Sequence, residues 1–491
     1  MKRWFRALQS RSWVIGSLLL TGLLLLPLLR NGFVHYDDGI YIVENPLVAA
    51  PFQVATIPTA FSTIHEQNYA PLLWLTFRAL HEAAGPAPWV FHLVSVLAHL
   101  ACALLLIRVG RQLGGSWAWT SLLAFLWAIH PQRVESVAWA SALKDPASGF
   151  FALLTTSLWL SLRRTGGKNP SLTFAMCLCY LASLLFKQAA FPLPWVLLSW
   201  HLLMRRDSDQ ALLKATLPLL LLSLGGALAA WTANREALTQ TEFLGLSTPI
   251  DQIGHFLSAL AFTLRQFLLP WPLAPDYPVP QNALLWRLTG GIALILFILL
   301  LGVAIRQRAA LLTLALLWAA ALWIPGSGLL PIPLEFTADR LTYLPSSLAI
   351  VAAGVWASRQ LPRGPFLFSL MGLALLWSAL NWRAQQPWED GPSLVSHTLR
   401  HYPSHYPSKV NRAVLQARSG RLDESILTLQ EAIEDYPLRP GAYEKLIQIH
   451  LARGQPQEAL DTARRWKSMQ PTSEGPDLYL LQLTTRQPHQ R

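Results

Sequence analysis

Two carboxylates stand side by side at Asp37 and Asp38, in the stretch NGFVHYDDGIYIVENP (31–46), flanked by His35, Tyr36 and Tyr41. The stretch follows directly on the first long apolar segment. Neighbouring anions just outside a membrane helix are costly unless they bind something or face water. The plain alternative is a solvated loop, since acids are common in loops. Three further stretches carry residues suited to chemistry. HPQRVESVAWASALKD (130–145) holds Arg133, Glu135, Lys144 and Asp145; Lys187 is an isolated cation between two apolar runs; EFTADRLTYLP (335–345) holds Asp339, Arg340 and Tyr343. Carboxylates suit general-base work, and Arg and Lys suit a phosphate. Together they fit a transferase that takes a group from a lipid phosphate. The acid deprotonates an acceptor hydroxyl or amide, and the cations neutralise the departing phosphate. Each has a plainer use: Lys144 and Asp145 as a helix cap, Lys187 as a snorkelling anchor, Arg340 as a flanking anchor. Convergence on one membrane face is what decides between the two uses.

The elements that position these residues are membrane helices. Hydrophobic residues make up 53% of the 491 and charged residues 13%, about half the ~25% usual in soluble domains. Apolar runs of spanning length, ~18 residues or more, alternate with short basic clusters. The net charge of +12 therefore follows the positive-inside rule and does not call for nucleic acid. Cys102, Cys177 and Cys179 all lie inside apolar runs, as small buried hydrophobes. No disulfide framework or Cys/His metal site is indicated, and only the paired carboxylates leave a divalent cation open. The N-terminal basic segment and the apolar run 14–29 have no small-x-small cleavage site after them, which predicts an uncleaved signal anchor with its N-terminus in the cytoplasm.

Hydropathy and Lys/Arg placement predict about eleven spans, at 13–30, 88–108, 116–131, 146–162, 170–186, 189–204, 213–232, 284–305, 310–325, 346–358 and 365–381. Residues 46–87 are expected to form short interfacial helices. The apolar segment 255–270 is assigned to the outer interface, because a span there would place every later basic loop outside. All four polar stretches then reach the outer side.

After Trp382 the chain changes character. Pro403, Pro437 and Pro471 fall 34 residues apart, as do Gly420 and Gly454, and Ser425 and Ala459. A 34-residue period with a small residue at the inter-helix turn and Pro closing the second helix is the tetratricopeptide signature. Two full units, 406–437 and 440–471, with flanking half-units as caps, predict a second domain. The expectation is thus all-α: a polytopic transmembrane bundle over 1–385 and a small tetratricopeptide-repeat domain over 386–491.

The residues also resemble a family. FVHYDDGIYIVENP (33–46), NYAPLLWLTF (68–77), HPQRVESVAWASALKD (130–145), WPLAPDYP (271–278) and ADRLTYLP (338–345), followed by the repeats, resemble the transmembrane-and-tetratricopeptide-repeat O-mannosyltransferases and their bacterial homologues, within the C-type glycosyltransferase superfamily. The resemblance implies a polyprenyl-phosphate-sugar donor, inverting transfer and an outside-facing active site. It places the catalytic acid in the first external loop, at Asp37 or Asp38, and gives the repeats an acceptor protein to bind. Arg133, Glu135, Lys144, Asp145, Lys187, Arg340 and Tyr343 are the donor- and phosphate-binding candidates. The chain has no GxGxxG or P-loop, which excludes a cytoplasmic nucleotide-sugar site of that kind. The rival expectations are a non-catalytic membrane scaffold, which has no use for four polar stretches on one surface, and a transporter, which would carry charges near the bilayer midplane.

Overall fold

Apolar runs punctuated by Pro, Asn and Ser fold as helices at the expected positions. The structure is a computed structural model. It describes residues 2–34, 36–51, 53–204, 210–238, 248–280, 282–329, 336–471 and 473–485, without the side chains of 2–10, 235–238 and 484–485. His35 and Glu335, two residues of the polar stretches above, lie outside the described residues.

In chain order the first unit holds α1 (Lys2–Leu25), α2 (Pro46–Ala49), α3 (Thr56–Ser62), α4 (Pro71–Ala84), α5 (Pro88–Gln112), α6 (Trp117–Ile129), α7 (Arg133–Ala138) and α8 (Lys144–Arg164). It continues with α9 (Pro170–Phe186), α10 (Leu193–Met204), α11 (Gln210–Leu238), α12 (Pro249–Leu268), α13 (Ala283–Arg306), α14 (Ala310–Trp323), α15 (Tyr343–Gln360) and α16 (Arg363–Gln385). Local chemistry sets the starts. Pro opens α2, α4, α5, α9 and α12, where its missing N–H costs nothing. Ser116 caps α6 and Asn169 caps α9 by accepting backbone N–H groups. Thr248 and Asp251 form a reciprocal capping box on α12.

Helices occupy all eleven expected span positions. Among the described residues six segments are long and apolar enough in themselves to cross a membrane: 11–30, 88–112, 210–234, 283–306, 339–360 and 363–389. The other five positions fall short of that description for visible reasons. α6, α9, α10 and α14 have 13, 17, 12 and 14 residues, below the ~20 that a hydrocarbon core asks of one helix. α8 has the length but begins with Lys144-Asp145 and ends with Arg163-Arg164. Outward-facing Leu284, Leu288, Ile292 and Leu296 on α13, and Phe368 and Leu375 on α16, are all more than half exposed. A water-facing surface of that kind would be untenable, so the unit is an integral membrane protein.

The core of this unit lies between α5, α6, α8, α9, α10, α14 and α15, filled by Trp127, Trp159, Trp318, Tyr180 and Tyr343 among Leu and Val. A second cluster of Tyr41, Ile42, Trp74, Phe77, Phe91 and Leu143 holds 36–46 and α4 against α5 and the turn before α8. Within 46–87, where short helices were expected, the chain forms α2, α3 and α4. α12 packs along α13 with Gly290 at the crossing.

The second compact unit is Asp390–Arg491, against the expected start at 386. It holds α17 (Gly391–His401), α18 (Tyr406–Arg418), α19 (Leu422–Asp435), α20 (Pro440–Ala452), α21 (Pro456–Met469) and α22 (Glu474–Thr485). Helix starts 406, 440 and 474, and 422 and 456, keep the 34-residue period. Gly420 and Gly454 take positive φ (79° and 72°) at equivalent turns, which only glycine adopts without strain. Ala413, Leu429, Ala432, Tyr443, Ala459 and Trp466 form its core.

A Cβ on Gly290 would overlap the backbone carbonyl of Leu257, whereas one on Gly291 would meet nothing. Close helix approach over a glycine is a packing device of membrane helices. Gly290→Ala should therefore destabilise the protein by about 1–3 kcal/mol and lower its melting temperature in detergent. Gly291→Ala should leave that temperature unchanged or slightly raised.

Candidate active site

The two neighbouring acids have separate fates. Asp38 is fully buried. Its Oδ2 accepts the Val34 N–H (2.9 Å) and its Oδ1 accepts both the Ser141 N–H (2.9 Å) and the Ser141 hydroxyl (2.6 Å). Burial pushes its carboxyl up to about 6, and these three donors pull the other way. Asp38 therefore ties 31–46 to the turn before α8, and its burial keeps it from a substrate. Asp37, one residue earlier, is half-buried and makes no hydrogen bond or ion pair among the described residues. Burial raises its pKa; Lys144 and Arg340 oppose that rise, and Asp276 and Glu66 add to it. Side chains of adjacent residues diverge, which is what separates an anchoring carboxylate from an open one.

The stretch 130–145 forms α7, a 3-10 turn (Ala140–Leu143) and the first residues of α8. Glu135 on α7 accepts two bonds from Arg340, one from its backbone N–H (2.7 Å) and one from Nη1 (2.5 Å). Arg340 also donates to the Pro275 carbonyl (2.7 Å) and lies over the Trp139 ring, 5.3 Å from its centre. Burial raises the Glu135 pKa, and the Arg340 charge opposes it. Lys187 extends from the end of α9 to Asp145 Oδ1 at 2.5 Å. Lys144 donates to Asn68 Oδ1 (3.2 Å) and sits 5.0 Å from the centre of the Tyr41 ring. Asn68 in turn donates to the Tyr41 hydroxyl at 2.6 Å. Asn68 is presented by a tight turn in which Glu66 and Gln67 both take positive φ (46° and 59°), a conformation uncommon outside glycine.

Arg133 and Tyr343, expected among the donor-binding residues, do not face the surface. Arg133 is 1% exposed. Its guanidinium bonds to the Thr342 hydroxyl and lies over the Tyr343 ring, 5.7 Å from its centre. Burial lowers its pKa to about 10, against the pull of Tyr343, Asp339, Asp145 and Glu135, so it stays cationic. Tyr343 is 2% exposed and its hydroxyl bonds His99 Nδ1 at 2.7 Å. These two form the floor beneath the site. The physical reason is that α7 is buried on all sides, with Arg133 directed to Tyr343 and Glu135 to Arg340.

Further residues complete the same cluster. Asp339 accepts from Gln132 (2.8 Å) and from the Tyr277 hydroxyl (2.7 Å). Ser141, Asn68, Tyr41, Asp276 and Glu66 surround the two acids. Asp276 and Tyr277 lie in WPLAPDYP and Asn68 in NYAPLLWLTF, so the motifs held the signal, and only the tertiary placement gives each residue its task. His130 is buried and bonded on both ring nitrogens. Its Nε2 donates to the Phe267 carbonyl (3.0 Å) while Nδ1 accepts the Gln132 N–H (3.2 Å). Among the described residues no group of three or more His, Cys, Asp or Glu is placed to hold a metal ion.

The division of labour between the acids predicts opposite stability effects. Asp38→Ala leaves the buried Val34 and Ser141 donors unsatisfied and should cost about 2 kcal/mol or more, read as a lower melting temperature in detergent. Asp37→Ala, which removes an acid raised by burial and bonded to nothing, should leave that temperature unchanged or raise it.

No family model matches the chain. The protein O-mannosyl-transferase tmtc2 of Xenopus laevis is 34% identical over 143 residues, 28% of this chain and 17% of the frog protein. The protein O-mannosyl-transferase Tmtc2 of Drosophila melanogaster is 30% identical over 305 residues, 56% of this chain and 32% of the fly protein. The matched part of the chain thus spans a third or less of these relatives' length. Among solved structures, ArnT from Cupriavidus metallidurans bound to undecaprenyl phosphate covers 92% of this chain and 80% of its own, at 17% identity and a TM-score of 0.41, a slight likeness. Over the matched stretches the chain is similar to protein O-mannosyl-transferases.

Proposed function

We propose that the chain is an integral-membrane glycosyltransferase. It moves a sugar from a polyprenyl-phosphate donor to an external protein acceptor. The observation that carries this reading is the open carboxylate of Asp37: it stands beside Lys144 and Arg340, while the neighbouring Asp38, Glu135, Asp145 and Asp339 are each held by protein donors. The relatives named for protein O-mannosyl transfer support glycosyl transfer to a protein acceptor. The active site and the repeats lie on the outer side of the inner membrane, with the N-terminus in the cytoplasm, as the positive-inside rule implies.

In the reaction the Asp37 carboxylate takes the proton of the acceptor hydroxyl. The acceptor oxygen attacks the anomeric carbon from the face opposite the phosphate. The carbon–oxygen bond to the phosphate breaks, its electron pair leaves on the polyprenyl phosphate, and the configuration inverts. Lys144 and Arg340, with Lys187, neutralise the charge that develops on the leaving oxygen. Glu135 and Asp145 hold two of these cations in place until the phosphate arrives, so the site is preorganised and not assembled by the donor. The 34-residue hairpins are tetratricopeptide repeats that bind the acceptor.

A base must be ionised to work, and burial raises Asp37 above the ordinary carboxylate range. Below its pKa the residue keeps its proton and transfer stops. The acid limb of the transfer rate should therefore stand above about pH 3.9, with activity lost as the pH falls through it. A limb at or below that value contradicts the assignment. In cells, mass spectrometry of externally exposed glycoproteins should show hexose-modified peptides that disappear when the chain is deleted and return when it is restored. An unchanged glycoprotein profile favours the membrane-scaffold reading.

A further inference from the structure

The end of the helices away from Asp37 carries a second charged cluster, of different construction. α8 begins at Lys144 in the candidate site and, 21 residues long, ends at Arg163-Arg164, roughly 30 Å away along a helix. Two clefts open there on either side of Gln112, and Arg164 lines both. One, of ≈ 410 Å³, is rimmed by Arg163, Arg164 and Arg359 against Trp200. The other, of ≈ 650 Å³, is rimmed by Arg108, Arg111 and Arg164, with Trp117 at its edge and Leu104 and Leu105 as its wall.

Three features of the larger cleft set it apart from a scatter of topology-setting charges. First, its arginines are fixed by neutral groups. Arg108 Nε donates to the Ser157 hydroxyl (2.8 Å), Arg164 to the Gln112 carbonyl (2.7 Å) and Arg111 to the Gly115 carbonyl, with Arg111 stacked 4.7 Å from the centre of the Trp117 ring. Each bond uses part of a five-donor fork. Second, among the described residues no carboxylate lies within ion-pair distance of Arg108, Arg111 or Arg164. Lys187 and Arg340 at the other end are both ion-paired. Three oriented guanidinium groups around one cleft with no internal anion call for an external one. Third, the wall is apolar and opens onto lipid. Leu104 and, two turns further along α5, Leu97 are 47% and 54% exposed, so a groove runs from the cationic rim down the bilayer-facing side of the helix.

We propose that this cleft binds the phosphate of an anionic phospholipid, with an acyl chain lying along Leu104 and Leu97. Guanidinium forks match phosphate oxygens in pairs, and basic pockets between membrane helices are a recognised form of lipid site. The apolar wall is what distinguishes a lipid from free phosphate, which would need only the rim.

The test is native mass spectrometry of the full chain purified in detergent, with phosphatidylglycerol, phosphatidylcholine or inorganic phosphate added. The protein should retain phosphatidylglycerol in preference to phosphatidylcholine. The triple variant R108K/R111K/R164K keeps the positive charge and hence the topology, but loses the fork. It should bind phosphatidylglycerol about tenfold more weakly, and R111K alone should weaken it in the same direction if the triple variant does not fold. R306Q/R308Q, which removes two arginines after α13, should bind as the wild type does. Equal retention by the wild type and the Lys variants, or equal binding of the two lipids, overturns the proposal. Binding of inorganic phosphate with no lipid preference assigns the cleft to free phosphate and overturns it too.

Discussion

The site depends on one buried carboxylate. Asp38 receives donors from Val34 at the exit of the first helix and from Ser141 in the turn before α8, two places more than a hundred residues apart in sequence. That bond set fixes 31–46 across the end of the bundle. With Asp38 turned inward, Asp37 must turn out, because successive side chains diverge. Tyr41 and Ile42 then drop into the aromatic cluster with Trp74 and Phe91, and Asn45 caps α2. The open acid is placed by the closed one.

The cations around Asp37 are placed by the same economy of pairing. A buried ion pair does little for stability, since desolvation offsets its attraction, but breaking one leaves an uncompensated charge. Glu135 with Arg340 and Asp145 with Lys187 therefore make sense as positioning devices. They keep two cations poised near the open carboxylate of Asp37, which is left with no protein donor. At the other end of α8 the arginines around Gln112 are held by carbonyls and a hydroxyl instead. The two ends of the bundle treat positive charge in opposite ways: one neutralises it in advance, the other leaves it for a ligand.

Much of this was legible in the sequence. Apolar runs and Pro, Asn and Ser punctuation located the helices, and the 34-residue spacing of Pro403, Pro437 and Pro471 located hairpins whose starts keep that spacing. The polar stretches at 31–46, 130–145, 187 and 335–345 do converge. What could not be read is the partner to which each side chain of a short, wholly buried helix is directed. Arg133 and Glu135 lie two residues apart on α7, yet one stacks beneath the site on Tyr343 and the other meets Arg340 within it. Whether Asp37 or Asp38 stays open was undecidable locally, since the choice is made by Ser141 from elsewhere in the chain. The motifs flagged the stretches that hold Asp276 and Asn68 but not their tasks, and Glu66 lay outside any motif, because the approach of each to Asp37 is purely tertiary.

The measurement that tests the account most directly is sugar transfer by the purified protein from a polyprenyl-phosphate-linked sugar to an acceptor peptide, comparing wild type with Asp37→Asn alone. Asparagine keeps the size of the side chain and removes only the base. The account predicts that transfer is lost while the melting temperature and donor binding are retained. Transfer by Asp37→Asn at the wild-type rate would contradict it.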